Sequence, residues 1–227
     1  MKKSLKLSPS ALNLFKDCPR CFWREKNNNI KRPRGIFPSL PGGMDRVIKT
    51  YFDGYRTKKT LPPELNRDEF KDILLFNDQV LLERWRNWRT GLVYQDGPSG
   101  GSLSGALDDL MMKGDRYIPF DYKTKGSMTT EADAVKYYQL QLDCYALMIE
   151  SNQMPAIGYG FLLYFSPAEV CEAGQVKFNV QPIRIETKTE RAIQTLRAAL
   201  ELLDQPAPPA APACEYCNWL QNFKRPR

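Results

Sequence analysis

The sequence predicts a mixed α/β domain of the α+β type: a small mixed β-sheet flanked by helices, a helical N-terminal part and a cysteine-containing tail. Three observations predict it. Helical patterns fill much of residues 1–95, strand patterns alternate with helical ones over residues 96–204, and a Pro/Ala linker at 205–213 precedes a tail at 214–227. A chain of 227 residues can bury one core, so we expect 1–227 to form a single domain.

The helical, basic N-terminal part (residues 1–95) begins with a predicted helix at "LSPSALNLF", where Ser8 caps and Pro9 fits the first helical position. Residues 44–57 repeat apolar side chains at helical spacing. A longer helical pattern runs from Glu64 to Arg89 and ends in "ERWRNWR". Two tryptophans at that spacing are more often core anchors than a nucleic-acid face.

The central region alternates strand and helix patterns. The strands "SLSGALDDLMM" and "YIPFDYKT", joined by the turn "KGDR", read as a hairpin. Residues 131–150 form an amphipathic helix, and the apolar run "IGYGFLLYF" and the alternating "QVKFNVQPIRI" are further strands. The last predicted helix lies in "TKTERAIQTLRAALELL".

The charge is uneven along the chain. The net charge is +7, yet residues 1–60 carry a net of +11 and the remainder about −4. Such a basic front indicates a polyanionic partner, most often nucleic acid, although a solvated basic surface would look the same. The loop "IKRPRG" and the end "FKRPR" are the candidate phosphate contacts.

The chain contains no histidine, which excludes several classes of site. Ser-His-Asp and Cys-His hydrolases are excluded, as are metal sites that use imidazole. A catalytic metal would then have oxygen ligands, which favours Mg²⁺ or Mn²⁺. We read no signal peptide or membrane span in the sequence and therefore expect a cytoplasmic protein.

Four of the six cysteines form two C-x2-C pairs, Cys18 with Cys21 and Cys214 with Cys217. Four such thiolates can hold a structural zinc ion or a 4Fe–4S cluster, and spacing alone does not separate the two. The proline-rich linker is expected to return the tail to the first pair. Cys144 lies inside the amphipathic helix and is predicted to be a small buried hydrophobe.

"IPFDYKTKG" places a carboxylate and an ammonium, Asp121 and Lys123, on one face of a strand. Alone, this would be an ordinary surface ion pair of little energetic value. Together, "SGALDDLM", "YIPFDYKTKG", "YQLQLDCY" and "SPSALNLFKDCPRCF" resemble the RecB-type nucleases of the PD-(D/E)XK superfamily. The flanking cysteines resemble its iron–sulfur branch, which includes the AddB nuclease domain and CRISPR-associated RecB-like exonucleases. The resemblance spans residues 8–217.

The resemblance implies a restriction-endonuclease-like core over residues 96–204. It also implies a metal-dependent deoxyribonuclease, acting as an exonuclease on single-stranded DNA or DNA ends. Its cofactors would be Mg²⁺ or Mn²⁺ and a 4Fe–4S cluster on Cys18, Cys21, Cys214 and Cys217. Its setting would be DNA repair, recombination or CRISPR adaptation, with a helicase or an adaptation protein as partner.

The family's motifs assign the metal ligands and the catalytic lysine. The GxxD motif matches Gly105 and Asp108, and the acidic-x-Lys motif matches Asp121 and Lys123. Asp108, Asp121 and the main-chain carbonyl of Tyr122 would bind the divalent ion, which activates a water for attack on the phosphate. Lys123 would orient that water or stabilise developing charge.

The Q-x3-Y motif matches Gln141 and Tyr145, which share one helix face. They would position the metal ligands or the nucleic-acid backbone; alternatively, they belong to a partly buried helix face. Asp109 faces the opposite side of its strand from Asp108, and the GxxD spacing favours Asp108 as the ligand.

The chain departs from the family pattern in two ways. The metal-binding histidine usual on an early helix is missing, and Asp45 is the natural oxygen substitute, or else a helix N-terminal charge. The iron–sulfur branch usually has one cysteine before the core and three after it, whereas here the split is two and two. Two other hypotheses therefore stay open: a degenerate nucleic-acid-binding protein with a structural four-cysteine zinc, and a zinc-bearing interaction protein.

Overall fold

A computed structural model describes residues 5–33, 35 and 39–223. Arg34 of the predicted basic loop and residues 224–227 of the predicted basic end lie outside this part of the chain. Apart from short 3₁₀ turns, the described helices are α1 Pro9–Asp17, α2 Pro19–Asn28, α3 Ser39–Thr57, α4 Gln79–Arg86, α5 Glu131–Ser151, α6 Thr189–Leu203 and α7 Glu215–Phe223. The described strands are β1 Lys6–Leu7, β2 Leu74–Leu75, β3 Leu92–Asp96, β4 Gly101–Gly105, β5 Asp109–Lys113, β6 Arg116–Thr124, β7 Tyr159–Val170 and β8 Val176–Glu186.

These strands form two mixed sheets. The larger has the order β2-β5-β6-β7-β8, in which β6 and β7 run parallel and the other neighbours antiparallel. The smaller has the order β1-β4-β3, with β1 parallel to β4. Helices and two mixed sheets confirm the α/β fold class predicted from the sequence, and they agree with a restriction-endonuclease-like core.

The central strand β6 divides two apolar cores. Phe120 and Tyr122 point to one side and pack against Phe52 of α3. On the other face of the sheet, Leu162 of β7 belongs to a core that includes much of α5 and α6. Asp121 and Lys123 alternate with the first pair, so they face α5 rather than α3. This alternation places the polar residues of the strand in one layer.

Two predictions of local structure were wrong. The stretch from Glu64 to Arg89 is not one helix, because two 3₁₀ turns and β2 precede α4. β2 pairs with the edge of the larger sheet, and the apolar residues of the turns pack on one face of that sheet. The predicted strand "SLSGALDDLMM" is divided between the two sheets, with β4 in the smaller and β5 in the larger. The break occurs where the Leu107 amide donates to the Trp85 carbonyl, 3.1 Å away.

None of the described helices combines the length with the apolar content that crossing a membrane requires. The predicted burial of Cys144 is confirmed, since its side chain lies inside the core beneath α5.

Candidate functional site

The antiparallel pairing of β5 with β6 brings two aspartates together. Asp109 pairs with Phe120, so the preceding residue, Asp108, lies beside Asp121 as the register continues. Asp121 is completely buried, whereas the Asp108 side chain is about a quarter exposed. The two carboxylates therefore line one polar recess, with Asp121 at its floor and Asp108 at its opening.

The Gln141 amide of α5 connects the polar residues of this recess. Its Nε2 donates to Asp121 Oδ1 at 2.9 Å and to the Tyr145 hydroxyl at 2.7 Å. Its Oε1 accepts from Lys123 Nζ at 3.3 Å. Because one helix turn separates Gln141 from Tyr145, the two side chains lie on the same face of α5. The structure thus brings together five of the residues named from the motifs: Asp108, Asp121, Lys123, Gln141 and Tyr145.

Burial and neighbouring charges shift the pKa values of Asp121 and Lys123. Desolvation raises the pKa of Asp121 to about 7; Asp108 adds to the rise, and Lys123 opposes it. Burial alone would lower the pKa of Lys123, but the Asp121 and Asp108 carboxylates outweigh it and raise that pKa. Lys123 therefore carries its charge at neutral pH, and its ammonium also lies 4.5 Å from the centre of the Tyr138 ring.

Lys49 of α3 is a residue of this site that sequence reasoning missed. Its Nζ donates to Asp108 Oδ1 at 2.8 Å and to Asp45 at 2.9 Å. Burial opposes the charge of Lys49, but Asp108 and Asp45 outweigh it and raise the pKa. The structure therefore connects Asp45 to the recess through Lys49. The one feature of the sequence that could have identified Lys49 is its four-residue spacing from Asp45, which places both side chains on one face of α3.

Asp109, the other member of the acidic pair, faces away from the recess. Its carboxylate accepts two hydrogen bonds from Arg56 Nη2, at 2.6 and 2.7 Å, and one from Arg86 Nη2 at 3.2 Å. The Tyr122 hydroxyl donates to it as well. Arg86 Nε also donates to the Asp108 carbonyl at 2.8 Å, so this network fixes the backbone that presents Asp108.

The residues of the recess fit a divalent cation. Asp121 Oδ2 is buried and, among the described residues, accepts no hydrogen bond of normal geometry, although the Lys123 ammonium lies against it. A carboxylate oxygen in this state, beside a second carboxylate, is the oxygen donor set that Mg²⁺ and Mn²⁺ prefer. The Tyr122 side chain donates to Asp109 on the other face of the sheet, so only its main-chain carbonyl is left as a ligand for a metal in the recess.

The two cysteine pairs meet where the start of α2 lies beside the start of α7. Cys18 precedes α2 and Cys21 lies in its first turn; Cys214 precedes α7 and Cys217 lies in its first turn. Sulfur–sulfur distances are 3.6 Å for Cys21–Cys214 and Cys21–Cys217 and 3.9 Å for Cys18–Cys217. All four sulfurs lie within 4.8 Å of one another. They could hold a metal, as the spacing predicted.

Polar groups surround the four cysteines. Burial opposes ionisation of Cys18, but hydrogen bonds with the backbone of Ala211 and Cys21 outweigh it and lower its pKa to about 6. Arg32 Nη2 donates to Cys214 Sγ at 3.4 Å and the guanidinium pairs with Asp17. Arg32 of the basic loop thus contacts the cysteine site, whereas the sequence had suggested a phosphate contact.

Main-chain carbonyls of the linker hold the tail along α2. Arg20 Nε donates to the Pro208 carbonyl and the Trp23 indole to the Gln205 carbonyl, both at 2.8 Å. These contacts continue the path that brings the second cysteine pair to the first.

Comparisons with known proteins identify one family. The family model described as "PD-(D/E)XK nuclease superfamily" matches residues 38–221, which is most of the chain and includes the whole recess. Among curated proteins, the comparison returns no match.

Proposed function

Because this chain belongs to the PD-(D/E)XK nuclease superfamily, we propose that it is a metal-dependent deoxyribonuclease that hydrolyses phosphodiester bonds. The observation that carries the proposal is the single amide of Gln141, which joins Asp121, Lys123 and Tyr145 beside Asp108. Superfamily members use divalent metals, and Asp108, Asp121 and the Tyr122 carbonyl would hold one here. When bound, such an ion polarises the phosphate and lowers the pKa of a water.

Lys123 acts as a fixed positive charge in this proposal. Because its neighbours raise its pKa, it stays protonated and is a poor general base. Its ammonium instead donates hydrogen bonds to the negative charge that develops on the phosphate oxygens. Gln141 is the positioning residue, since it holds Asp121 and Lys123 in one arrangement.

The RecB-type assignment within the superfamily is part of the same proposal. It is supported by the hydrogen bonds that Gln141 donates to Tyr145 on α5 and to Asp121 on β6. With it we propose exonuclease action on single strands or DNA ends, in repair, recombination or CRISPR adaptation.

A direct assay tests the nuclease. Wild type and Lys123→Ala are incubated with end-labelled single-stranded and duplex DNA, with and without Mn²⁺. We expect Mn²⁺-dependent cutting by wild type and a loss of about a hundredfold or more in the variant. Equal cutting by both proteins would refute the site.

One observation favours a second function. Lys49 stands on the early helix where the family usually has a histidine, and it neutralises Asp108. A site in which an ammonium competes with the metal is expected in a degenerate nucleic-acid-binding protein. Retained binding of nucleic acid by a protein that neither binds Mn²⁺ at Asp108 and Asp121 nor cuts DNA would support that function over the enzyme.

For the four cysteines we propose one tetrahedral zinc ion rather than the 4Fe–4S cluster. Zn–S bonds of about 2.3 Å in a tetrahedral site place the sulfurs about 3.8 Å apart. Three of the six sulfur–sulfur separations are 3.6–3.9 Å, close to that value, and all six are within 4.8 Å. A cluster binds each thiolate to a different iron and so requires wider spacing.

Anaerobic purification distinguishes the two cofactors. Zinc predicts a colourless protein with one zinc per chain, reduced strongly in Cys217→Ser. A brown protein with visible absorption and stoichiometric iron would instead support the cluster.

A further inference from the structure

A groove of about 750 Å³ adjoins the recess, because Gln141 and Tyr145 belong to the recess and also line the groove. One wall comes from the start of the chain and α2, including Lys6 and Lys26; the other comes from the turn after α4. The groove therefore reaches Gln141 and Tyr145, the two helix residues of the recess.

The turn after α4 presents an exposed indole at this groove. Trp85 is 6% exposed and stacks on Phe76, whereas Trp88, three residues later, is 74% exposed. The difference arises because α4 ends at Arg86, so the helical repeat no longer directs Trp88 inwards. The sequence motif "ERWRNWR" thus contains one core anchor and one surface aromatic.

Hydrogen bonds hold this turn in place. Thr90 Oγ1 donates to the Arg84 carbonyl at 2.7 Å, and the Arg89 amide donates to Asn87 Oδ1 at 2.9 Å. Because the turn is fixed at both ends, Trp88 is presented at low cost in conformational entropy.

The charge of the groove is basic. Lys6, Lys26 and Arg89 line it, and none of the described residues lining it is acidic. Lys26 pairs with Glu25 at 3.0 Å, and the Arg89 guanidinium lies 5.1 Å from the Trp88 ring centre. A basic groove that carries an aromatic face and leads to a phosphate-cleaving recess is the arrangement that binds single strands.

We propose that this groove binds single-stranded nucleic acid, with a base stacked on Trp88 and the backbone held by Lys6 and Arg89. Inside a duplex each base has both faces covered by its neighbours, so away from duplex ends an indole at the surface can stack only on an unpaired base. The inference rests on the proposed function, because it supplies the substrate strand to the same recess.

Binding measurements in the Lys123→Ala background, without added divalent metal, test the proposal. Fluorescence anisotropy is recorded with a labelled single strand, in DNA and RNA versions, and with the matching DNA duplex. Trp88→Ala should weaken single-strand binding about tenfold, from the loss of one stacked base, and change duplex binding little. Trp88→Phe should retain most of the affinity.

Trp219→Ala is the matched control, because Trp219 is 65% exposed but lies on α7 and does not line the groove. Its affinity should equal that of the background. The DNA and RNA arms show which strand the groove takes. If Trp88→Ala binds both single strands like its parent, or loses single-strand and duplex binding equally, the proposal is overturned.

The outcome is separable from that of the nuclease assay. Trp88-dependent binding in a protein that cuts nothing would uphold the groove and refute the enzyme. Cutting that depends on Lys123, together with binding that does not depend on Trp88, would uphold the enzyme and refute the groove.

Discussion

Asp108 and Asp109 are adjacent in sequence, yet the structure predicts opposite results when each is changed to asparagine. Asp109 is fully buried and pairs with Arg56, which is itself buried, and with Arg86. Removing one member of a buried ion pair leaves a buried charge uncompensated, at a cost of about 3–5 kcal/mol. For a chain of this length, that cost lowers the melting temperature by about 10 °C.

Asp108→Asn should leave stability nearly unchanged. The Asp108 and Lys49 side chains are both partly exposed, so their ion pair is worth about 1 kcal/mol or less. The variant also removes a negative charge close to Asp121, which offsets part of that loss. Its activity should fall about a hundredfold or more, because even indirect partners of a metal site cost 10–100-fold when removed.

Urea denaturation and the Mn²⁺-dependent DNA assay measure both quantities on the same preparations. Each variant is the other's control, since both replace one carboxylate by an amide in neighbouring positions. An Asp109→Asn protein as stable as wild type would refute the stabilising role of the buried ion pairs between Asp109, Arg56 and Arg86. An Asp108→Asn protein of full activity would refute the assignment of the metal ligand.

Three further predictions concern other charged and sulfur groups. Lys49→Gln should lower the Mn²⁺ concentration for half-maximal activity about fivefold, because it removes a competing charge worth about 1 kcal/mol; an unchanged Mn²⁺ titration would contradict this. Arg197 holds the pKa of buried Asp96 well below its usual range. The Asp96–Arg197 ion pair therefore stabilises the fold fully at pH values above about 4, the pKa of an aspartate in the unfolded chain, and its stabilisation is lost as the pH falls further. Asp96→Asn should therefore cost about 2 kcal/mol in urea at neutral pH, and a gap from wild type that does not narrow in acid would count against it. If the proposed zinc joins α2 to α7, loss of zinc in Cys217→Ser should lower the free energy of unfolding by about 4 kcal/mol, and a urea midpoint equal to that of wild type would contradict a stabilising crosslink.

The site was more predictable from sequence than its surroundings. Asp121, Lys123, Gln141 and Tyr145 lie within one strand and the next helix, where the periods of two and 3.6 residues fix which side chains share a face. Lys49 escaped notice because Asp108, which it contacts, is 59 residues away, and local patterns carry no record of such a contact.

The stretch before α4 shows the other limit of local reasoning. Leu65, Phe70 and Ile73 repeat at intervals compatible with a helix, and all three are buried. Their burial comes instead from short turns that pack against one face of the larger sheet, where Phe70 contacts Phe161 of β7. Periodicity identifies residues that need a core, but in short segments it does not fix the backbone that carries them there.

The position of the cysteine pairs also orders events during synthesis. Their sulfurs meet across 193–199 residues, so the complete thiolate set exists only after residue 217 has left the ribosome. The metal site proposed for these cysteines would therefore form only on chains that extend through Cys217. Nascent chains and truncated products that stop before Cys214 would have to fold without that link between α2 and α7.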